Sequence, residues 1–235
     1  MSKKRAVVLL SGGMDSAVTL YLALRQGFEC LCLSFDYGQR HSRETVAAGK
    51  LAKAAGCFLR RVKLRLSDKG SVLMRKNASL TRGLRKNGSA IPETYVPARN
   101  IVFLSCALSI AEAEGAGDIF IGAHDQDYSG YPDCRPEFFA AFQAAADLGT
   151  KAGCEGRPVR FNAPLLGMSK KDIVLLGAGL GVPFELTRSC YKGEPKPCGK
   201  CESCLYRAKG FAEAGIADGA ARKSTVHGRS LVSQL

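Results

Sequence analysis

The apolar positions fall into short unbroken runs separated by longer stretches of helical period. Ala6 to Leu10 is apolar at every position, which predicts a strand buried on both faces. Ser11 to Asp15 is the turn after it. Ser16 to Gln26 then carries Val18, Leu20, Leu22 and Leu24 among good helix formers and stops at Gly27. Cys30 to Phe35 reads as a second strand, Arg43 to Ala55 as a helix ending at Gly56, and Phe58 to Leu66, with weaker alternation, as a third strand. Asn100 to Glu114 is a largely apolar helix ended by Gly115. Asp118 to Ala123 is a buried strand, Arg135 to Leu148 a helix and Val159 to Asn162 a short strand. Ser169 to Ala178 is a helix with Ser169 as its cap and Asp172 in its first turn, and a short helix closes the pattern. Strands alternating with helices predict an α/β fold, a doubly wound parallel sheet with helices on both faces. Ligands in such sheets bind beyond the carboxyl ends of the strands, so the loops there are the ones to read for chemistry.

The rhythm breaks between residues 67 and 97, where Gly70, Gly83, Gly88, Pro92 and Pro97 interrupt scattered charge. A connection of that length is expected to be functional or mobile. Much of the formal net charge of +13 is local, in a cluster that begins just before this stretch and runs into it. Arg60, Arg61, Lys63, Arg65, Lys69, Arg75, Lys76, Arg82, Arg85 and Lys86 are opposed by Asp68 alone, and Arg222, Lys223 and Arg229 repeat the bias in the tail. Such patches attract phosphate, but charge does not say whether it belongs to a nucleotide or a nucleic acid. The 235 residues suit one substantial domain with an appendage. Residues 1–187 are expected to form the α/β domain, 188–212 a cysteine-rich segment packed on it, and 213–235 a basic tail. No apolar run approaches the roughly 18–20 residues of a membrane span. Ala6 to Leu10 is too short for the core of a signal peptide, so a cytoplasmic location is expected.

The first of these loops carries the clearest chemistry. Ser11-Gly12-Gly13-Met14-Asp15-Ser16 sits where a strand gives way to a helix. Glycines let the backbone approach an anion closely, the first amides of the helix point at it, and Ser11 and Ser16 add hydroxyl donors. Asp15 is unusual beside an anion. Its carboxylate suits the capping of backbone donors or a magnesium ion that bridges phosphates. The stretch Leu10 to Val18, that is Leu10, Ser11, Gly12, Gly13, Met14, Asp15, Ser16, Ala17 and Val18, is the expected ATP cradle. It is no Walker A loop, because it lacks the GxxxxGK[ST] lysine.

The second signal is cysteine. Cys190, Cys198, Cys201 and Cys204 cluster, the last three with two-residue gaps. In a reducing compartment this pattern points to metal before disulfides. Four thiolates complete a tetrahedral zinc shell with no open position, which makes one structural zinc per chain the preferred reading. An iron–sulfur cluster is the alternative on spacing alone.

The SGGxDS loop resembles that of the PP-loop ATP-pyrophosphatases. Further segments appear in the order expected of 7-cyano-7-deazaguanine synthases: Asp36-Tyr37-Gly38-Gln39-Arg40-His41, Tyr95-Val96-Pro97-Ala98-Arg99-Asn100, Ser129-Gly130-Tyr131-Pro132-Asp133-Cys134-Arg135 and Asn162-Ala163-Pro164-Leu165. The resemblance runs from about residue 6 to about 210. Where Ala98 stands the family often has glycine. The resemblance implies ATP with Mg2+, ammonia and 7-carboxy-7-deazaguanine as partners, with no requirement for nucleic acid, and it leaves a homodimer open. It also implies roles. Asp15, Arg99 and His41 are the catalytic candidates. Tyr37, Arg40, Arg99, Tyr131 and Asp133 are the substrate-binding ones, the tyrosines by stacking, the arginines by neutralising charge and Asp133, with Asp127, by accepting from ring donors. His41 and His124 are candidate proton relays.

Two rival readings remain open from sequence. A thiolase-type tRNA-modifying enzyme of the same adenylating family would need a sulfur-carrying cysteine, for which Cys134 is the candidate. A zinc-stabilised nucleic-acid-binding module would have no use for the phosphate loop.

Overall fold

A computed structural model describes residues 3–38, 43–67, 69, 71–74, 91–124, 130–192 and 196–220. Its centre is a five-stranded parallel sheet in the order β3-β2-β1-β4-β5, built from β1 (Arg5–Leu9), β2 (Glu29–Asp36), β3 (Phe58–Lys63), β4 (Asp118–Ile121) and β5 (Arg160–Asn162). The all-apolar run of β1 explains its central place. Ala6 and Val8 point into one core and Val7 and Leu9 into the other, none of them more than 7% exposed.

Helices cover both faces. On the Ala6/Val8 side lie α1 (Met14–Arg25), α2 (Arg43–Ala54), α6 (Lys170–Gly179) and α7 (Glu202–Ala214). On the Val7/Leu9 side lie α3 (Arg99–Glu114) and α4 (Pro136–Gly149), the latter followed by the single turn α5 (Lys151–Cys154). The expected doubly wound sheet is therefore present, with boundaries moved by a residue or two at most elements. The one-turn α5 and short 3-10 turns at Pro132–Cys134 and Phe184–Leu186 leave no periodic signal in the sequence. The Ser169 cap is a full capping box: its hydroxyl accepts from the Asp172 amide while the Asp172 carboxylate accepts from the Ser169 amide.

Chain order places the site. The first three strands step outward from β1, and β4 returns to the opposite side of β1. The loops after β1 and β4 thus diverge at a topological switch point. Among the described residues no helix is long and apolar enough to cross a membrane.

Candidate functional site

The loop after β1 is shaped by two close approaches. Gly12 has φ +96°, and a Cβ there would lie 2.2 Å from the Glu44 carbonyl oxygen in the first turn of α2. Gly122, just past β4, would put a Cβ 2.9 Å from the Ser16 nitrogen. Only glycine lets these backbones meet. The Ser11 and Ser16 hydroxyls lie 3.0 Å apart, Ser11 Oγ accepts from the Gly13 amide at 3.2 Å, and Ser16 Oγ donates to the Gly13 carbonyl at 3.0 Å. The amides of α1 open onto this cradle, as an anion site requires.

Asp15, in the loop, pairs with a cation that the loop itself lacks. Lys170 Nζ, from the start of α6, lies 2.9 Å from Asp15 Oδ1 and also reaches His124 Nε2, which is 3.6 Å from Asp15 Oδ2. Burial alone would raise the Asp15 carboxyl, but Lys170 and His124 outweigh it and hold it below the usual carboxylate range. Lys170 thus brings a cation beside a loop that has no lysine of its own. Lys170 is 155 residues away in sequence, and no motif spacing could have found it.

Beside the cradle is a cavity of about 270 Å³. Leu33, Phe35, Phe103 and Ile121 give it an apolar floor, in which Phe35 and Phe103 stack with centroids 4.2 Å apart. Tyr37, Arg99 and Tyr131 stand on its wall, so three of the expected substrate residues converge there. Burial opposes the charge on Arg99, yet Tyr37, to which it is hydrogen-bonded, and nearby Tyr131 and Asp133 raise its pKa and keep it protonated. Burial pushes the Tyr131 hydroxyl up; that group is 2.7 Å from Thr94 Oγ1.

Two sequence candidates are drawn into the framework instead. Asp133 is 4% exposed and does not line the cavity. Its Oδ2 accepts from the Asn100 amide at 3.0 Å, and its carbonyl accepts from Asn100 Nδ2 at 3.1 Å, so it serves as a cap for α3. Cys134 is equally buried, with Asn100 Nδ2 3.3 Å from its sulfur. Arg40, His41 and Asp127 lie outside the described residues, as do the insert from Arg75 to Lys86 and the tail from 221 onward.

Sequence reasoning missed Glu44 as well as Lys170. Glu44 lines the cavity near Arg99 and Arg188. Burial raises its carboxyl to about 7, Arg99 and Arg188 pull it down, and Cys190 adds to the rise.

The cysteine cluster adjoins the part of the wall formed by Ser189, Tyr191 and Ser203. The four sulfurs of Cys190, Cys198, Cys201 and Cys204 all lie within 4.8 Å of one another. A tetrahedral zinc with bonds of about 2.3 Å needs sulfurs roughly 3.8 Å apart, so the set fits such an ion. Backbone amides point at the sulfurs as they would at thiolates: Cys198 N to Cys190 Sγ at 3.3 Å and Cys201 N to Cys198 Sγ at 3.3 Å. Hydrogen bonds from Cys201 and Cys204 pull the Cys190 thiol down.

This knot is tied to both sides of the site. The Arg188 amide donates to the Gly12 carbonyl at 2.8 Å. Ser189, Tyr191 and Ser203, next to the cysteines in sequence, line the cavity. Arg207 of α7 is buried, paired with Asp218 at 2.7 Å and bonded to Thr187 Oγ1 at 2.7 Å and the Phe184 carbonyl at 3.0 Å. Gly210 of α7 meets Lys170 so closely that a Cβ would lie 2.8 Å from the Lys170 Cβ.

A family model described as queuosine biosynthesis protein QueC matches residues 5–215. The sequence is 52% identical over 220 residues to the 7-cyano-7-deazaguanine synthase of Anaeromyxobacter sp. (strain Fw109-5), covering 92% of this chain and 94% of the relative. It is 50% identical over 219 residues to the same-named protein of Thermoplasma acidophilum, covering 93% and 92%. In fold it is similar to a 4-thiouridine synthetase solved as an RNA complex with bound ATP, with a TM-score of 0.52 at 19% identity over 90% of this chain and 50% of that one. The chain belongs to the queuosine biosynthesis protein QueC family.

Proposed function

We infer that the chain is an ATP-dependent ligase that converts 7-carboxy-7-deazaguanine and ammonia to 7-cyano-7-deazaguanine through adenylated intermediates. The observation that carries this reading is the meeting of the Ser11–Ser16 cradle, Arg99, Tyr37 and Tyr131 around one aromatic-walled cavity, with Lys170 joined to it through Asp15. The names of relatives about half identical over nearly the whole chain point the same way.

A carboxylate oxygen leaves poorly and AMP leaves well, so the carboxylate first attacks the α-phosphorus of ATP and pyrophosphate departs. Ammonia displaces AMP to give the amide, and adenylation of the amide oxygen by a second ATP, with loss of AMP, leaves the nitrile. The cradle amides and the Ser11 and Ser16 hydroxyls hold the departing pyrophosphate, and Lys170 brings it a positive charge from α6. Arg99, protonated and partly shielded from water, orients the reacting carboxylate or balances charge on the α-phosphoryl group. ATP would bring Mg2+ with it, and Asp15, in the proposed phosphate loop, would be a carboxylate available to hold the ion. Tyr37 and Tyr131 pack against a flat ring. In this scheme the four cysteines hold one structural zinc that supplies no chemistry and fixes the wall bearing Ser189 and Tyr191.

Pyrophosphate release from ATP with ammonium present, with and without 7-carboxy-7-deazaguanine, tests the reading. Substrate-dependent release with a nitrile product by mass spectrometry supports it. Release that needs tRNA instead moves the chain to the thiolase reading, against which the burial of Cys134 already weighs. The nitrile product and the use of free ammonia stand or fall with the same assays, and the sedimentation velocity of the chain tests a homodimer.

A further inference from the structure

The reading above leaves the heterocycle without a recognition partner. The pyrimidinone edge of a 7-deazaguanine presents two parallel donors, the ring N1–H and the 2-amino group. Adenine presents one donor and one acceptor on its corresponding edge. A carboxylate accepts both hydrogens of the first and repels the ring lone pair of the second, so a buried carboxylate sorts the two rings that must share this site.

Among the described residues, two carboxylates line the 270 Å³ cavity, Asp15 and Glu44. Asp15 is held by Lys170 at 2.9 Å beside the phosphate loop. Asp133, the acceptor expected from sequence, lies behind the wall and caps α3 through Asn100. Glu44 sits in the first turn of α2, and its backbone is fixed by the close approach of its carbonyl to Gly12. Around it stand Arg99, Arg188, Tyr191 and Cys190, and Tyr37 lines the same cavity. An acid in a setting otherwise suited to phosphate and carboxylate has no evident work to do on ATP, which would repel it.

We propose that Glu44 is the specificity-determining residue of the cavity, its carboxylate accepting the N1–H and 2-amino donors of the 7-deazaguanine ring. The burial that raises its carboxyl to about 7 is consistent with this, because two donated hydrogens would restore the ionised form. The assignment rests on the ligase reading above.

The test compares wild type, Glu44→Gln and Glu44→Asp with 7-carboxy-7-deazaguanine and with its analogue lacking the 2-amino group, by pyrophosphate release. A site built to bond a donor rejects the compound without it, so wild type prefers the amino compound by about 100-fold or more in kcat/KM. Glu44→Gln, with one acceptor left, brings that preference below about 10-fold while the KM for ATP stays within about twofold. Glu44→Asp keeps the preference at a higher KM for the ring compound, and thermal melting confirms that both variants fold. An unchanged preference in Glu44→Gln overturns the proposal, and so does an equal loss with both compounds alongside a raised KM for ATP, which would make Glu44 a prop for the phosphate loop. Wild type that releases no pyrophosphate with either compound overturns the ligase reading and this assignment together. Wild type that turns over without discriminating overturns this assignment alone.

Discussion

The backbone amide of Arg188 donates a 2.8 Å hydrogen bond to the carbonyl of Gly12, joining the strand of chain that leads into the first cysteine to the loop that is proposed to hold ATP. Two features that read as separate motifs in the sequence are thus one construction.

The loop side of that construction is intolerant of a methyl group. Gly12→Ala places a Cβ against the Glu44 carbonyl oxygen and asks alanine to hold a φ of +96°. The loop must shift by a large fraction of an ångström, and misplacement on that scale costs about 100-fold in rate. Pyrophosphate release measured beside thermal melting should show activity lost by roughly that factor at a temperature where the variant is still folded.

Lys170 carries a different signature. Its side chain is 10% exposed and that of its partner Asp15 28%, so Lys170→Met leaves a carboxylate poorly solvated, at a cost of about 2–3 kcal/mol. Loss of a cation aimed at a leaving group removes about 10²–10³ in kcat. The KM for the ring compound should move little, and steady-state kinetics over both substrates separates the two effects. A variant with normal kcat would remove Lys170 from the proposed chemistry.

These two residues show where the sequence was readable and where it was not. The central strand, the glycine loop and the cysteine cluster are local patterns, since each depends on residues a few positions apart, and the structure has them all in place. Glu44 reaches the cavity, and Lys170 reaches Asp15 at its edge, only after α2 and α6 have packed, and nothing near either in sequence announces it. Asp133 illustrates the converse. It stands in a telling motif, yet its carboxylate is committed to Asn100, a partner 33 residues away. One departure did carry information in advance: Ala98, where the family often has glycine, has φ 54° and is the one non-glycine residue with positive φ among the described residues.

Ala98→Gly should accordingly relieve strain. A side chain in left-handed backbone costs about 1–2 kcal/mol, part of which the greater freedom of glycine in the unfolded chain takes back. Denaturant titration should give a net gain of about 0.5–1 kcal/mol. Because Arg99 follows directly, kcat measured alongside reports whether that strained turn also positions the guanidinium.

Metal removal gives the last prediction. Atomic absorption should find one zinc per chain, and Cys201→Ser should lower that content. Treatment with a chelator should reduce Tm by roughly 10 °C, since structural zinc contributes directly to folding free energy. Zinc restored to the chelated protein should recover both Tm and pyrophosphate release; iron recovered in place of zinc would turn the site to the iron–sulfur alternative.

Gly210 and Lys170, packed as closely as two backbones allow, extend that dependence further than the cysteines themselves. Slackening at the sulfur knot is passed along α7 to the foot of α6, where the lysine stands. With zinc held by the cysteines, a chain starved of it therefore suffers a graded failure. Its sheet, stitched by strand pairing far from the cysteines, would persist while the aim of Lys170, the cation proposed to meet pyrophosphate, drifted, so that nutritional zinc shortage would first appear as slow enzyme and only afterwards as missing enzyme.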